Sequence, residues 1–141
     1  MDTRLNNSTV ALRIAVGLMA TLAGLDKFFN ILADWGHYVS PLAAQMIPIP
    51  VGVLMGIVGV VEFAVGIAIL TAWPVIGAYA ASAWLLLVAG NLALGGFFDI
   101  AVRDVVLAIG AFSLARLMEV RIEQELPETT AVRSGGRQVT A

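Results

Sequence analysis

The sequence predicts an all-α membrane protein, an antiparallel bundle of four transmembrane helices. Hydrophobic residues make up 60% and charged residues only 13% of its 141 residues, whereas a soluble domain has about 25% charged residues. The chain contains four apolar segments of roughly twenty residues, each long enough as a helix to cross a hydrocarbon core of about 30 Å. The connections between them are rich in Pro, Gly, Trp and Tyr, which are typical of helix ends and of the membrane–water interface.

The composition also excludes several classes of function. There is no cysteine, which excludes disulfides, thiol catalysis and thiolate metal sites. The single histidine, His37, cannot build a bis-histidine haem site or a histidine-rich metal site, and we interpret it as an interfacial side chain. The net charge of −2 and the lack of a basic stripe exclude nucleic acid as a partner. We therefore predict no metal site and no catalytic residue.

The first predicted span covers residues 10–32, after a polar lead of residues 1–8 that does not resemble a cleaved signal. Arg13 and Lys27 fall on one stripe of this helix together with small residues. Small residues mark close contact between helices in a membrane. Both cations are therefore predicted to face neighbouring helices, beside the small residues Gly17, Ala20 and Gly24.

The connection that follows, residues 33–50, contains Trp35, Tyr38 and three prolines. Proline disrupts a continuous helix, and Trp and Tyr favour the membrane–water interface. We predict an interfacial loop with a short helix around Pro41 to Met46.

The second predicted span, residues 51–71, is apolar as far as Leu70 except for Glu62. An ionised carboxylate near the middle of a bilayer is expensive, so it needs a partner from another helix or stays protonated. Glu62 lies at the edge of a glycine-rich face, which predicts that it faces the bundle interior. That face carries Gly52, Gly56, Gly59 and Gly66, of which the first two form a GxxxG pair.

The third and fourth predicted spans cover residues 75–95 and 100–120, and Trp73-Pro74 forms the turn before them. Asn91 lies on the small-residue stripe of the third span. Asp99 is a natural N-cap of the fourth, and Arg103 follows four residues later on the same face. These spans complete a transmembrane domain of residues 1–121, followed by a polar, disordered tail of residues 122–141.

Lysine and arginine are more frequent near the two chain ends than near the first and third connections. This bias predicts that both termini lie in the cytoplasm. The basic residues near the ends are Arg4, Arg13, Arg116, Arg121, Arg133 and Arg137.

The polar residues of the four spans are predicted to converge in one pocket inside the bundle. We expect its ligand-binding residues to be Lys27, Glu62, Asn91, Asp99 and Arg103. The partner of Glu62 is left open between Lys27, Arg103 and Arg13. The alternative is that these charges only hold the helices together as structural ion pairs. Outside the pocket, we expect solvated interface positions for Asp26 and Asp104, and anchoring or packing roles for Trp35, Trp73 and Trp84.

At these residues the sequence resembles the DoxX family of small bacterial membrane proteins. The resemblance covers roughly residues 10 to 118 and lies in LRIAVGLMATLAGLDKFF, GVVEFAVGIAIL, Asn91 and FDIAVRDVVLAIGA. It implies a four-helix membrane subunit of the bacterial inner membrane. Members of the family are linked to membrane oxidoreductase assemblies, including quinone-reducing thiosulfate oxidation and oxidative-stress complexes with soluble partners.

The preferred hypothesis is a non-catalytic integral membrane subunit of a respiratory or other redox complex. It anchors or stabilises partners and holds a quinone or a lipid in the polar pocket, without an intrinsic cofactor. Besides the lipid bilayer, its partner is a larger membrane complex or further copies of itself. One alternative is a small proton-coupled transporter that acts as an oligomer, and another is a purely structural packing subunit. A stand-alone enzyme is disfavoured because the sequence has no nucleophile–base pair, phosphate loop or metal constellation.

Overall fold

The structure, a computed structural model, describes the backbone of residues 3–135 and the side chains of residues 3–124. This part of the chain is helical and contains no strand, which confirms the all-α prediction. The elements in chain order are α1 (Thr3–Asp26), a 3-10 turn (Trp35–Tyr38), α2 (Pro41–Met46), α3 (Val51–Leu70), α4 (Pro74–Leu94) and α5 (Phe98–Gly135). The short helix predicted at Pro41 is α2, and the Ser40 hydroxyl caps it by accepting the Ala43 N–H at 3.1 Å.

Three of these helices, α1, α3 and α4, are long and apolar enough to cross a membrane. They indicate a membrane-spanning protein. The fourth predicted span lies in α5, which does not belong to this group because charged residues interrupt its apolar sequence. The charged residues of residues 98–120 are Asp99, Arg103, Asp104, Arg116 and Glu119.

Helix α1 begins at Thr3 rather than near Val10, and it ends at Asp26 rather than at Leu32. The early end has a local cause. The chain leaves the helix through a turn in which Asn30 adopts a φ of 50°, a conformation that asparagine tolerates better than most residues. Lys27 therefore lies just beyond the helix instead of inside it.

Helix α5 continues well past the predicted end of the fourth span, to Gly135. Residues 122–135, which the sequence analysis assigns to a disordered tail, are thus helical, and residues 136–141 lie outside the described part. Glu, Gln and Leu follow Arg121 in the sequence, and these are good helix formers even in a polar segment. Polar composition alone did not reveal that the helix continues.

The four long helices pack side by side, with α1 along α3 and α4 along α5, while α3 contacts α4 and α1 also contacts α5. The interior is formed mainly by small side chains, which allow close approach of the helices. Large apolar side chains cover the outer faces, as expected for surfaces in lipid. The buried core comprises Val16, Ile69, Ala78, Ala81, Ala111, Leu114, Ala115 and Met118.

Helices α1 and α3 approach each other closely at Gly24 and Gly59, not at the predicted GxxxG pair. A Cβ atom on Gly59 would lie 2.7 Å from the Gly24 carbonyl oxygen, whereas a Cβ on Gly52 would meet nothing within 4 Å. At Gly56 the nearest atom, on the Phe28 ring, is 3.9 Å away. The glycine face of α3 therefore acts through its middle and not through its first turn.

We expect Gly59→Ala to lower the free energy of unfolding in detergent micelles by about 1–3 kcal/mol, the usual cost of overpacking. Gly52→Ala, on the same helix, is the matched control and is expected to be neutral. Unfolding followed by circular dichroism in an SDS titration measures both. Equal stability of the two variants would contradict the close contact at Gly59.

Candidate functional site

Lys27 and Glu62, whose side chains are both largely buried, form an ion pair. The Lys27 Nζ atom lies 2.5 Å from Glu62 Oε2, and the two side chains are only 5% and 12% exposed. The sequence left three cations open as partners of Glu62, and the structure pairs it with Lys27. Removing one partner from such a pair leaves an uncompensated buried charge, which is strongly destabilising.

Two tryptophans complete the surroundings of this pair. Trp84 of α4 donates its indole N–H to Glu62 Oε1 at 3.1 Å. The ring of Trp35 faces the ammonium group, with the Lys27 Nζ atom 3.8 Å from the ring centroid, a cation–π arrangement. Their positions in the sequence predict anchoring or packing roles for both tryptophans and do not reveal these contacts. Trp73, in contrast, is 67% exposed.

Asp26 fixes the loop that carries Trp35. Its carboxylate accepts the Trp35 indole N–H at 2.7 Å and the backbone N–H groups of Ile31 and Leu32 at 2.9 and 3.0 Å. A further N–H, from Ala33, reaches the same carboxylate at 3.3 Å. Asp26 is only 6% exposed, so the expectation of a solvated position is wrong. The chain turns back over this side chain, which helical periodicity cannot reveal.

A cavity of about 340 Å³ lies beside the ion pair. Glu62, Trp35 and Trp84 form one part of its wall, and Arg103 and Asp104 of α5 form another. Lys27 lies behind Glu62 and does not line the cavity. The rest of the wall is mostly apolar and includes Met19, Ala20, Val65, Leu85, Val88 and Leu107.

Asp104 was predicted to be solvated, but the structure buries it. It is only 9% exposed, whereas the Arg103 side chain beside it is 68% exposed. The buried face of α5 carries Asp104 within a run of alanines at helical spacing. That run is the signal that could have identified the face, and its members are Ala101, Ala108, Ala111 and Ala115.

The remaining predicted pocket residues lie elsewhere. Asn91 holds the interfacial loop, since its Nδ2 atom donates to the Tyr38 carbonyl at 2.8 Å and its Oδ1 atom accepts the Ser40 N–H at 3.0 Å. Asp99 is exposed within the first turn of α5, which begins at Phe98, so the prediction of Asp99 as its N-cap is wrong. Of the five residues predicted to bind a ligand, the structure places Glu62 and Arg103 on the cavity wall.

Arg13, a candidate partner of Glu62, instead donates hydrogen bonds to the backbone carbonyls at the end of α3. Its Nε atom donates to the Ile69 carbonyl at 2.7 Å, and its Nη2 atom donates to the carbonyls of Leu70 and Thr71 at 3.0 and 2.9 Å. The last carbonyls of a helix lack partners within the helix, and basic side chains commonly bind them. Arg13 thus joins α1 to the C-terminus of α3.

Comparison of the chain with protein-family models, with curated proteins and with solved structures gives no match. The resemblance to the DoxX family stays a prediction. The geometry of the cavity is therefore the main observation that bears on function.

That geometry suits an amphipathic small molecule. The cavity has apolar side chains from four helices and ionisable groups from α3 and α5, so an apolar body and a polar head would each find complementary surroundings. The Lys27 ammonium group is already occupied by Glu62 and Trp35. The polar groups left to meet a ligand head are those of Arg103 and Asp104.

We expect Lys27→Met and Glu62→Gln each to lower the free energy of unfolding, with Lys27→Met costing about 3–5 kcal/mol because it strands a buried carboxylate. The double variant should lose less than the sum of the single losses, since neither charge is then left alone. Unfolding in micelles followed by circular dichroism measures the coupling.

The control for this cycle is the exposed ion pair of Arg116 and Glu119, whose N···O distance is 2.6 Å and whose side chains are 61% and 32% exposed. Arg116→Met is expected to cost at most about 1 kcal/mol. A loss for Lys27→Met as small as this one would contradict a buried pair.

Proposed function

We propose that this chain is a non-catalytic membrane subunit whose four helices hold a lipid-soluble small molecule in the cavity beside Glu62. The observation that carries the proposal is the cavity itself, which is mostly apolar but bears buried ionisable groups from α3 and α5. Its volume of about 340 Å³ falls within the range of about 300–1,000 Å³ found for ligand sites. A packing subunit alone needs no such space, because helix interfaces normally pack without large voids.

We propose that α5 is the fourth membrane span. At about 1.5 Å per residue, residues 98–120 extend about 34 Å, enough to cross the hydrocarbon core. The outward face of α5 is apolar, and Asp104 is buried against the other helices. The large exposed side chains of that face are Val102, Val106, Ile109 and Phe112.

With four spans, both termini lie on one side, and the lysine and arginine bias favours the cytoplasm of a bacterial cell. The ligands we consider are a quinone and a lipid. The partner is a larger redox complex, as the resemblance to DoxX proteins implies, or further copies of this chain. Arg103, on the cavity wall, is the donor available to a quinone carbonyl.

A proton-coupled transporter with Glu62 as the titrating group is supported less well. Glu62 is held by Lys27 at 2.5 Å and by Trp84 at 3.1 Å. A carboxylate that takes up and releases protons during transport has to exchange its partners. Here both oxygens of the carboxylate have a partner in the same conformation.

The binding role is tested by filling the cavity. Ala20 lies on its wall, so we expect Ala20→Phe to remove a lipid-soluble molecule that co-purifies with the wild-type protein in mild detergent. Mass spectrometry of organic extracts measures the bound molecule, and the same preparation reveals partner proteins. Leu18→Phe, at a 45% exposed position of the same helix, is the control. Equal retention of the co-purified molecule in both variants, or a wild-type protein without a bound molecule, would contradict the proposal.

The absence of cysteine allows a direct test of the four-span topology with single-cysteine variants in whole cells. We expect Asn7→Cys and Gln124→Cys to be protected from an impermeant maleimide, and Gln45→Cys to react with it. All three positions are exposed in the structure. Reaction of Gln124→Cys from outside the cell, with Asn7→Cys protected, would show that α5 does not cross.

A further inference from the structure

The charges around the cavity are unevenly compensated. Glu62 is neutralised by Lys27 at 2.5 Å. Asp104 receives no hydrogen bond from any residue whose side chain the structure describes, and its one ion-pair contact there is Arg103 Nε at 4.0 Å. That distance is too long for a hydrogen bond. Asp104 is nevertheless only 9% exposed and lines the cavity.

The Arg103 side chain does not cover this carboxylate. It is 68% exposed, whereas the side chain of Asp104 is 13% exposed. Most of the Arg103 side chain therefore lies outside the buried surroundings of Asp104. A carboxylate in a low-dielectric site is costly unless a cation or hydrogen-bond donors compensate it. The wall of the cavity thus carries an acidic group whose compensation is incomplete.

The rest of the wall favours a cation with an apolar body. Trp84 and Trp35 both line the cavity. The Lys27 ammonium group already lies over the Trp35 ring, so Trp84 is the aromatic side chain available to a second cation, and aromatic rings attract cationic as well as apolar groups. The Trp84 indole N–H is used by Glu62 and the Trp35 indole N–H by Asp26. Neither indole N–H is left for a ligand, and the Arg103 side chain, a further donor on the wall, is 68% exposed.

We propose that the cavity binds a compact lipophilic monocation, whose cationic head lies against Asp104 while its apolar part packs among the side chains of α1, α3 and α4. The cation supplies the compensating positive charge that the Asp104 carboxylate lacks. This inference rests on the proposed binding role of the cavity and names the ligand class. The space of about 340 Å³ is large enough for a small cationic head with part of its apolar body.

The test measures binding of two probes of similar shape to the full chain in lipid nanodiscs. Methyltriphenylphosphonium is a permanent lipophilic cation, and triphenylphosphine oxide is its neutral counterpart with a hydrogen-bond acceptor. We expect the wild-type protein to bind the cation at least tenfold more tightly. Because it uses no variant, this comparison does not depend on how substitutions affect folding.

Asp104→Asn, which preserves shape and removes the charge, is expected to weaken phosphonium binding at least tenfold, and Asp104→Glu is expected to retain it. Asp34→Asn is the matched control at an exposed position and should bind as the wild type does. Circular dichroism and thermal unfolding establish that each variant is folded. Phosphonium binding by folded Asp104→Asn at wild-type affinity would overturn the inference.

The two proposals fail in different ways. Oxide binding as tight as phosphonium binding, abolished by Ala20→Phe, would overturn the cationic ligand and leave the binding cavity standing. A wild-type protein that binds no phosphonium also overturns the cationic ligand. If in addition the co-purified molecule survives Ala20→Phe, the binding role of the cavity falls as well.

Discussion

The buried ion pair between Lys27 and Glu62 is the interaction on which the arrangement of the helices depends. It joins the end of α1 to the middle of α3, and the indole of Trp84 adds α4 to the same carboxylate. Close approach of the helix backbones is a condition for this contact. A Cβ atom on Gly59 would lie 3.1 Å from the Lys27 Cβ atom, so the glycine makes room for the lysine chain. In lipid no water can stabilise an unpaired charge. The stability of both charges therefore depends on the close approach of the two helices.

The other polar contacts place this pair within a fixed frame. Asp26 holds the loop whose Trp35 ring faces the ammonium group, and Asn91 fastens the following residues of the loop to α4. At the opposite end of α3, Arg13 binds the last carbonyls. Each of these polar side chains thus satisfies a backbone end, a loop or another charge. Asp104 differs from them, since it is buried on the cavity wall with only a distant cation among the described residues, and for this reason it is the focus of the inferred ligand site.

Much of this arrangement could be predicted from the sequence, because apolar length and small-residue stripes are local properties. These properties predict the all-α class, and they predict that Lys27 and Glu62 face the interior of the bundle. The errors arose where local periodicity is insufficient. Asp26 ends its helix, so a helical wheel assigns it to the wrong surroundings. For Asp104, the polar face marked by Arg103 predicts exposure, whereas the alanines that share its own face indicate burial. The roles of Trp35 and Trp84 depend on contacts between distant segments, which no spacing in one segment encodes. Which cation meets Glu62 was likewise a question of three-dimensional packing.

The most direct test of the central ion pair uses the fact that Lys27 is the only lysine of the chain. With ¹⁵N on the lysine side chain and ¹³C on the glutamate carboxylates, a rotational-echo double-resonance measurement in lipid bilayers reports the nitrogen–carbon distance for this one residue. The account predicts strong dephasing of the single ammonium signal, corresponding to direct N–H···O contact at about 3 Å between nitrogen and oxygen, and its loss in Glu62→Gln. An ammonium signal without dephasing, or dephasing that persists in Glu62→Gln, would contradict it.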